Sequence, residues 1–269
     1  MSRLTALFAR LEKTGRKALI PYIVAGDPNP RLTVALMHEL VSQGADIVEI
    51  GVPFSDPMAE GPVIQLAHER ALAHSVSLTM VIDLVAEFRQ QDQDTAVVLM
   101  GYANPIERMG YTVFAERAAK AGVDGLLTVD MPPEEAEEPT RVLRKAGIDN
   151  IFLLAPTTSE ARIAKIASLA SGYLYCVALK GVTGAGNLDI ASVSNKLASI
   201  KKITDLPITV GFGIKDGASA AALAPFCAGV VVGSALIERM VMSVGLPESD
   251  QIKNVAGLIA EMRAAIDAK

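Results

Sequence analysis

The sequence predicts an α/β protein built as a single (β/α)8 TIM barrel, on three observations. Short β-rich runs recur along the whole chain, stretches of helical spacing separate them, and the length of 269 residues suits one such domain. The predicted strands are 18–25, 46–50, 96–102, 123–129, 150–154, 173–179, 207–211 and 229–233. Between them, sets such as Leu32, Leu36, Met37, Leu40 and Val41, or Ile163, Ile166, Ala167 and Ala170, repeat at helical spacing. A parallel sheet of about eight strands with right-handed helical crossovers closes most simply as a barrel. The alternative is an open, doubly wound sheet, but no GxGxxG follows the first strand as a dinucleotide fold would want.

Ser2 to Lys17 carries a helical pattern ahead of strand one, so an extra N-terminal helix is expected. With no Ser/Gly linker or low-complexity tract, residues 1–269 read as one catalytic domain. The loops after strands two and six, Gly51 to Pro62 and Gly181 to Leu188, are long and rich in Gly and Pro. In a barrel, such loops at the C-terminal ends of strands carry function.

Composition excludes several classes of partner. A net charge of -5 without a basic patch argues against nucleic acid. Apolar runs stop short of the roughly 20 residues needed to span a bilayer, and the N-terminus lacks a signal-peptide core, so a cytoplasmic protein is expected. Two cysteines, Cys176 and Cys227, in apolar surroundings provide neither a disulfide framework nor a CxxC metal site. His38, His68 and His74 fall in helical stretches, where surface or packing roles are expected, so no metal site is predicted. Lys180, at the end of strand six, is a minor candidate for Schiff-base chemistry.

The strongest candidate for chemistry is Glu49. It is the one charge in Ile47-Val48-Glu49-Ile50, and strand alternation puts it on one face with Ile47 and Gly51. If that face lines the barrel, desolvation raises the carboxyl pKa toward neutrality and suits it to give and take a proton. The competing reading is an ion-paired structural carboxylate. In the loop after strand two, three prolines and two glycines restrict the backbone around Asp56 and Glu60. Asp56 before Pro57 fits an Asx-turn as well as catalysis, so Glu60 is the better second acid. Glycine-rich ends at Gly181–Gly186, Gly211–Gly213 and Gly233-Ser234 place backbone amides where barrels commonly bind phosphate, although glycine turns for packing alone read the same way.

The run Val48-Glu49-Ile50-Gly51-Val52-Pro53-Phe54-Ser55-Asp56-Pro57-Met58-Ala59-Glu60-Gly61-Pro62 resembles the signature of the tryptophan synthase alpha chain. The resemblance continues through Gly26-Asp27-Pro28, Tyr102-Ala103-Asn104-Pro105, Ala155-Pro156-Thr157-Thr158, Gly181-Val182-Thr183-Gly184, Gly211-Phe212-Gly213-Ile214 and Gly233-Ser234-Ala235. It implies a carbon–carbon lyase that cleaves indole-3-glycerol phosphate to indole and glyceraldehyde 3-phosphate, late in tryptophan biosynthesis. It also implies that Glu49, Glu60 and Tyr175 are catalytic, with Glu60 standing where the family generally has Asp. Tyr22, Met100, Leu127, Val129, Thr183 and Phe212 would bind substrate, Tyr22 replacing a frequent Phe. Gly184, Gly213, Gly233 and Ser234 would hold the phosphate. The implied cofactor is none in this chain, pyridoxal phosphate belonging to a partner beta chain that receives the indole within an α2β2 heterotetramer. Pro53, Phe54, Pro57 and Met58 form an apolar cluster that suits either docking to beta or folding back onto the barrel. Two other functions stay open: a subunit retained to activate beta with weak turnover of its own, and an isomerase acting on a phosphorylated sugar or amine.

Overall fold

Residues 2–177, 190–211 and 213–268 are described by the computed structural model. Strands β1 (Ala18–Val24), β2 (Ile47–Gly51), β3 (Ala96–Gly101), β4 (Gly125–Thr128), β5 (Asp149–Leu154), β6 (Leu174–Val177), β7 (Ile208–Gly211) and β8 (Gly229–Val232) pair in parallel in sequence order, and β8 closes on β1. The open-sheet alternative is therefore overturned. Each predicted strand lies within two residues of its expected ends; the predicted final residues of strand six and the long loop after it lie outside the described residues.

The helices in chain order are α1 (Arg3–Thr14), α2 (Pro30–Ser42), α3 (Pro62–Ala73), α4 (Leu78–Phe88), α5 (Ala103–Met109), α6 (Tyr111–Ala121), α7 (Glu137–Lys145), α8 (Glu160–Leu169), α9 (Ile190–Lys201), α10 (Gly217–Leu223), α11 (Ser234–Ser243) and α12 (Glu248–Asp267). Side-chain caps start several of them: Ser2, Asn29, Ser77, Ser159 and Asp216 each accept a first-turn backbone N–H, satisfying donors a helix leaves unpaired.

Alternation along the strands divides the apolar interior in two. Val48, Ile50, Val97, Leu99, Val210 and Val230 face outward into the layer between sheet and helices. Ile20, Tyr22, Ile47, Val98, Leu127, Ile151 and Tyr175 face inward and fill the barrel. Helix α1 plugs its N-terminal end: Leu4, Leu7, Phe8 and Leu11 join the inner cluster, with the Phe8 and Tyr173 rings 5.7 Å apart. With that end filled, access to the interior is left to the strand C-termini, where the site lies.

The turn after β1 is tied to α3 by a bidentate pair, Arg70 Nε to Asp27 Oδ1 at 2.6 Å and Nη2 to Oδ2 at 2.9 Å. Asp27 is buried while a third of the Arg70 side chain is exposed. Arg70→Ala leaves that carboxylate unpaired, so a loss of about 2–3 kcal/mol is expected. A urea midpoint matching the unmodified chain would contradict the role given to the pair.

Candidate active site

Glu49 sits in β2, opposite Tyr22 of β1 and Val98 of β3 in register, and faces inward with Ile47. Its relative exposure is 0%, and neither carboxylate oxygen has a hydrogen-bond partner among the described residues. The structural ion-pair reading is thereby set aside. Burial without a compensating cation penalises the charged form and pushes the pKa up to about 8. A carboxyl poised there is protonated often enough to donate and ionised often enough to accept near neutral pH.

Tyr175 of β6 also faces inward, in register between Leu153 and Thr209. Burial, then the Glu49 charge, raises its phenol well above the ordinary value, so it acts as a neutral hydroxyl. Its ring occupies the space left by the missing side chain of Gly211: a Cβ there would overlap the Tyr175 hydroxyl. Gly51 does the same for Tyr22, whose hydroxyl a Cβ at Gly51 would overlap. We expect Gly211→Ala to displace the Tyr175 ring, costing about 1–3 kcal/mol of stability and lowering kcat at least about tenfold. Unchanged kcat would show that the ring position is immaterial.

Glu60, in the loop between β2 and α3, is half-buried and accepts a hydrogen bond at Oε2 from the Tyr102 hydroxyl. Tyr102 in turn accepts from the Ala59 N–H at 3.0 Å and stacks on Phe54, with ring centroids 4.9 Å apart. Burial raises the Glu60 pKa, the Tyr102 hydrogen bond pulls it down, and Asp130 pushes it up again. Asp56 is exposed and bonded to the Ser55 hydroxyl at 2.6 Å, which leaves Glu60 as the acid turned inward. Of the apolar cluster in this loop, Pro53 is buried and Phe54 folds onto Tyr102, whereas Met58 is 79% exposed.

Met100 of β3 and Leu127 of β4 are partners in register and, with Val129 just beyond β4, pack into the inner cluster. Gly213 adopts φ +77°, a left-handed conformation that favours glycine, two residues past β7. Gly233 and Ser234 open α11 directly after β8, so the first-turn amides of that helix stand at the end of the neighbouring strand. A Cβ at Gly233 would lie 3.2 Å from Tyr22 Cδ1, which sets the phosphate candidate beside the pocket wall. Thr183, Gly184, Phe212 and Lys180 lie outside the described residues.

Two site residues escaped sequence reasoning. Tyr102 follows β3 in the run Tyr102-Ala103-Asn104-Pro105, which by itself signals no role for it. His68 was expected at the surface or in packing, yet it is 1% exposed in α3 and bridges two walls of the site. Its Nδ1 accepts the Phe54 N–H at 3.1 Å, and its Nε2 lies 3.4 Å from the Tyr22 hydroxyl. The available signal was its place between Ala67 and Ala71, small residues that mark the buried stripe of α3. The other two histidines serve structure: His38 stacks on Phe88 and His74 pairs with the Pro28 carbonyl.

The sequence profile described as tryptophan synthase alpha chain matches residues 8–267. The chain belongs to the tryptophan synthase alpha chain family. It is 58% identical over 268 residues to the tryptophan synthase alpha chain of Methylococcus capsulatus, spanning 100% of both chains. It is 59% identical over 267 residues to that of Thioalkalivibrio sulfidiphilus, spanning 99% of this chain and 100% of the relative. Among solved structures, tryptophan synthase subunit alpha from Legionella pneumophila superposes with a TM-score of 0.92 at 45% identity, covering 100% of both chains. A chain of Mycobacterium tuberculosis tryptophan synthase in an aminoacrylate-bound form superposes with a TM-score of 0.87 at 32% identity, covering 99% of this chain and 100% of that one.

Among the described residues no three His, Cys, Asp or Glu side chains gather as a metal site, and no single helix is long and apolar enough to cross a membrane. A shallow depression of about 450 Å³ on the outer flank, between α7 and α8, is lined by Arg141, Arg144 and Lys145, away from the strand ends. Arg141 there is already paired with Glu138.

Proposed function

We propose that Glu49 performs both proton transfers in the cleavage of indole-3-glycerol phosphate, the reaction of tryptophan synthase alpha chains. The supporting observation is the isolation of its carboxyl in the barrel, without a hydrogen-bond partner among the described residues and with a pKa near 8. The protonated acid first gives its proton to indole C3, breaking the ring's aromaticity and leaving positive charge at the ring nitrogen. The resulting carboxylate then takes the proton of the glycerol hydroxyl on the adjoining carbon. That carbon becomes the aldehyde of glyceraldehyde 3-phosphate, the bond to C3 breaks, and its electron pair returns to the ring to restore indole. Glu49 ends as it began, protonated.

Glu60 accepts a hydrogen bond from the ring N–H and answers the charge that develops there. Its extra methylene relative to Asp is taken up by the Tyr102 hydroxyl, which holds Oε2 back toward β3. Tyr175 stands by the reacting carbon. Tyr22, Met100, Leu127, Val129 and Phe212 form the flat apolar slot for the indole, with Thr183 positioning the Glu60 carboxylate. The amides of Gly184, Gly213, Gly233 and Ser234 receive the phosphate.

Within the cytoplasm, indole passes on to a beta chain that carries pyridoxal phosphate, in an α2β2 assembly, and this chain needs no cofactor of its own. Exposed Met58, on the loop that carries Glu60, offers an apolar contact at the barrel mouth for that partner. Indole release is measured with the purified chain, alone and with a beta chain. Turnover that rises with beta is expected. No release in either case, with beta still activated, identifies a regulatory subunit; turnover of another sugar phosphate in its place identifies an isomerase.

A further inference from the structure

We infer that His68 is a positioning residue that turns the Tyr22 hydroxyl into a hydrogen-bond donor on the side away from its ring, among the charges of Glu49 and Glu60. The backbone N–H of Phe54 points at Nδ1 from 3.1 Å, so Nδ1 carries the lone pair. A neutral imidazole with a free Nδ1 has its proton on Nε2. That nitrogen lies 3.4 Å from the Tyr22 oxygen, both groups being buried, so Nε2–H donates and the phenol oxygen accepts. The phenol's own proton must then leave on the other side of the oxygen.

The hydroxyl rests against Gly51, which shares the inward face of β2 with Glu49 and lies two residues nearer the strand's C-terminal end. Beyond Gly51 the chain enters the loop that carries Glu60. Both carboxylates act on the phenol: burial raises its pKa most, followed by the charges of Glu60 and then Glu49. His68 therefore fastens the backbone of the Glu60 loop, through Phe54, to the β1 wall of the pocket, through Tyr22. A Phe at position 22 would leave that wall of the slot purely apolar, whereas Tyr22 with His68 adds one polar contact to it. The added contact favours substrates with an acceptor at that point.

Long-range 1H–15N correlation on the full chain with 15N-labelled histidine tests the geometry without turnover. The His68 signal is assigned by its absence from His68→Asn. A neutral ring with Nε2 protonated and Nδ1 bare is expected at neutral pH. A proton on Nδ1, or an imidazolium, would overturn the inference.

The kinetic test rests on the lyase activity proposed above and uses a cycle of Tyr22→Phe, His68→Asn and the pair. Asn keeps an acceptor for the Phe54 N–H but does not reach the phenol. Each single change is expected to lower kcat/KM about three- to tenfold, the size of one buried hydrogen bond. The double variant should be no worse than the poorer single. Losses that multiply would overturn the coupling. An unmodified chain that releases no indole would sink the lyase proposal instead, and the tautomer measurement would still decide this one.

Discussion

Glu49→Gln is expected to cut indole release more than about a hundredfold while leaving substrate affinity within about threefold, because the amide keeps the shape and loses proton transfer. The same substitution is expected to stabilise the folded chain. Burial raises the Glu49 pKa from 4.5 to about 8. Below pH 4.5 both folded and unfolded chains hold the proton and the group is neutral to stability. As pH rises from 4.5 to 8 the unfolded chain releases the proton while the folded chain retains it, so stability falls, and above about 8 the loss is complete. Gln does not titrate, so the stability gap between the variants should open over that window to about 3–5 kcal/mol. Urea unfolding at a series of pH values measures it. Parallel stability curves for the two chains would mean that Glu49 is not a desolvated acid, and retention of more than about a hundredth of the rate would remove it from proton transfer.

Removing the second acid should have the next largest consequence. Glu60→Ala is expected to lose about 2–4 kcal/mol of transition-state stabilisation, some 30- to 1000-fold in kcat, since nothing then answers the charge at the ring nitrogen. Glu60→Asp should retain activity. Tyr102→Phe separates charge from placement: the Tyr102 hydroxyl pulls the Glu60 pKa down, so without it that pKa moves up. If ionised Glu60 is the working form, the acid limb of kcat/KM in Tyr102→Phe shifts to higher pH. Equal rates for the unmodified chain, Glu60→Asp and Glu60→Ala would exclude the residue from the mechanism, and an unmoved acid limb would show that Tyr102 does not govern it.

Local sequence was enough to place the strands, because parallel strands buried on both faces are short apolar runs bounded by Gly, Pro and charge, and such runs are local signals. Glu49 was legible for the same reason, one charge in an otherwise apolar strand whose alternation left only two possible directions. Glu60 was favoured over Asp56 on loop position, and the structure turns Asp56 to solvent and Glu60 toward Tyr102. Tyr102 and His68 were harder. Tyr102 works through an acid 42 positions earlier, and His68 through Phe54 and Tyr22, on separate elements. No periodicity within one segment encodes such pairings.

By itself, then, the order of residues determined the alternation of strand and helix, the two alternating faces of β2 and the family to which the chain is similar, since each depends on neighbours a few positions apart. Tertiary structure decided that the barrel closes between β8 and β1, that α1 seals one end, and that the Glu49 carboxyl finds no hydrogen-bond partner among the described residues. Whether a buried acid is paired or isolated depends on side chains brought in from every strand around it, and those distances exist only once the chain has folded.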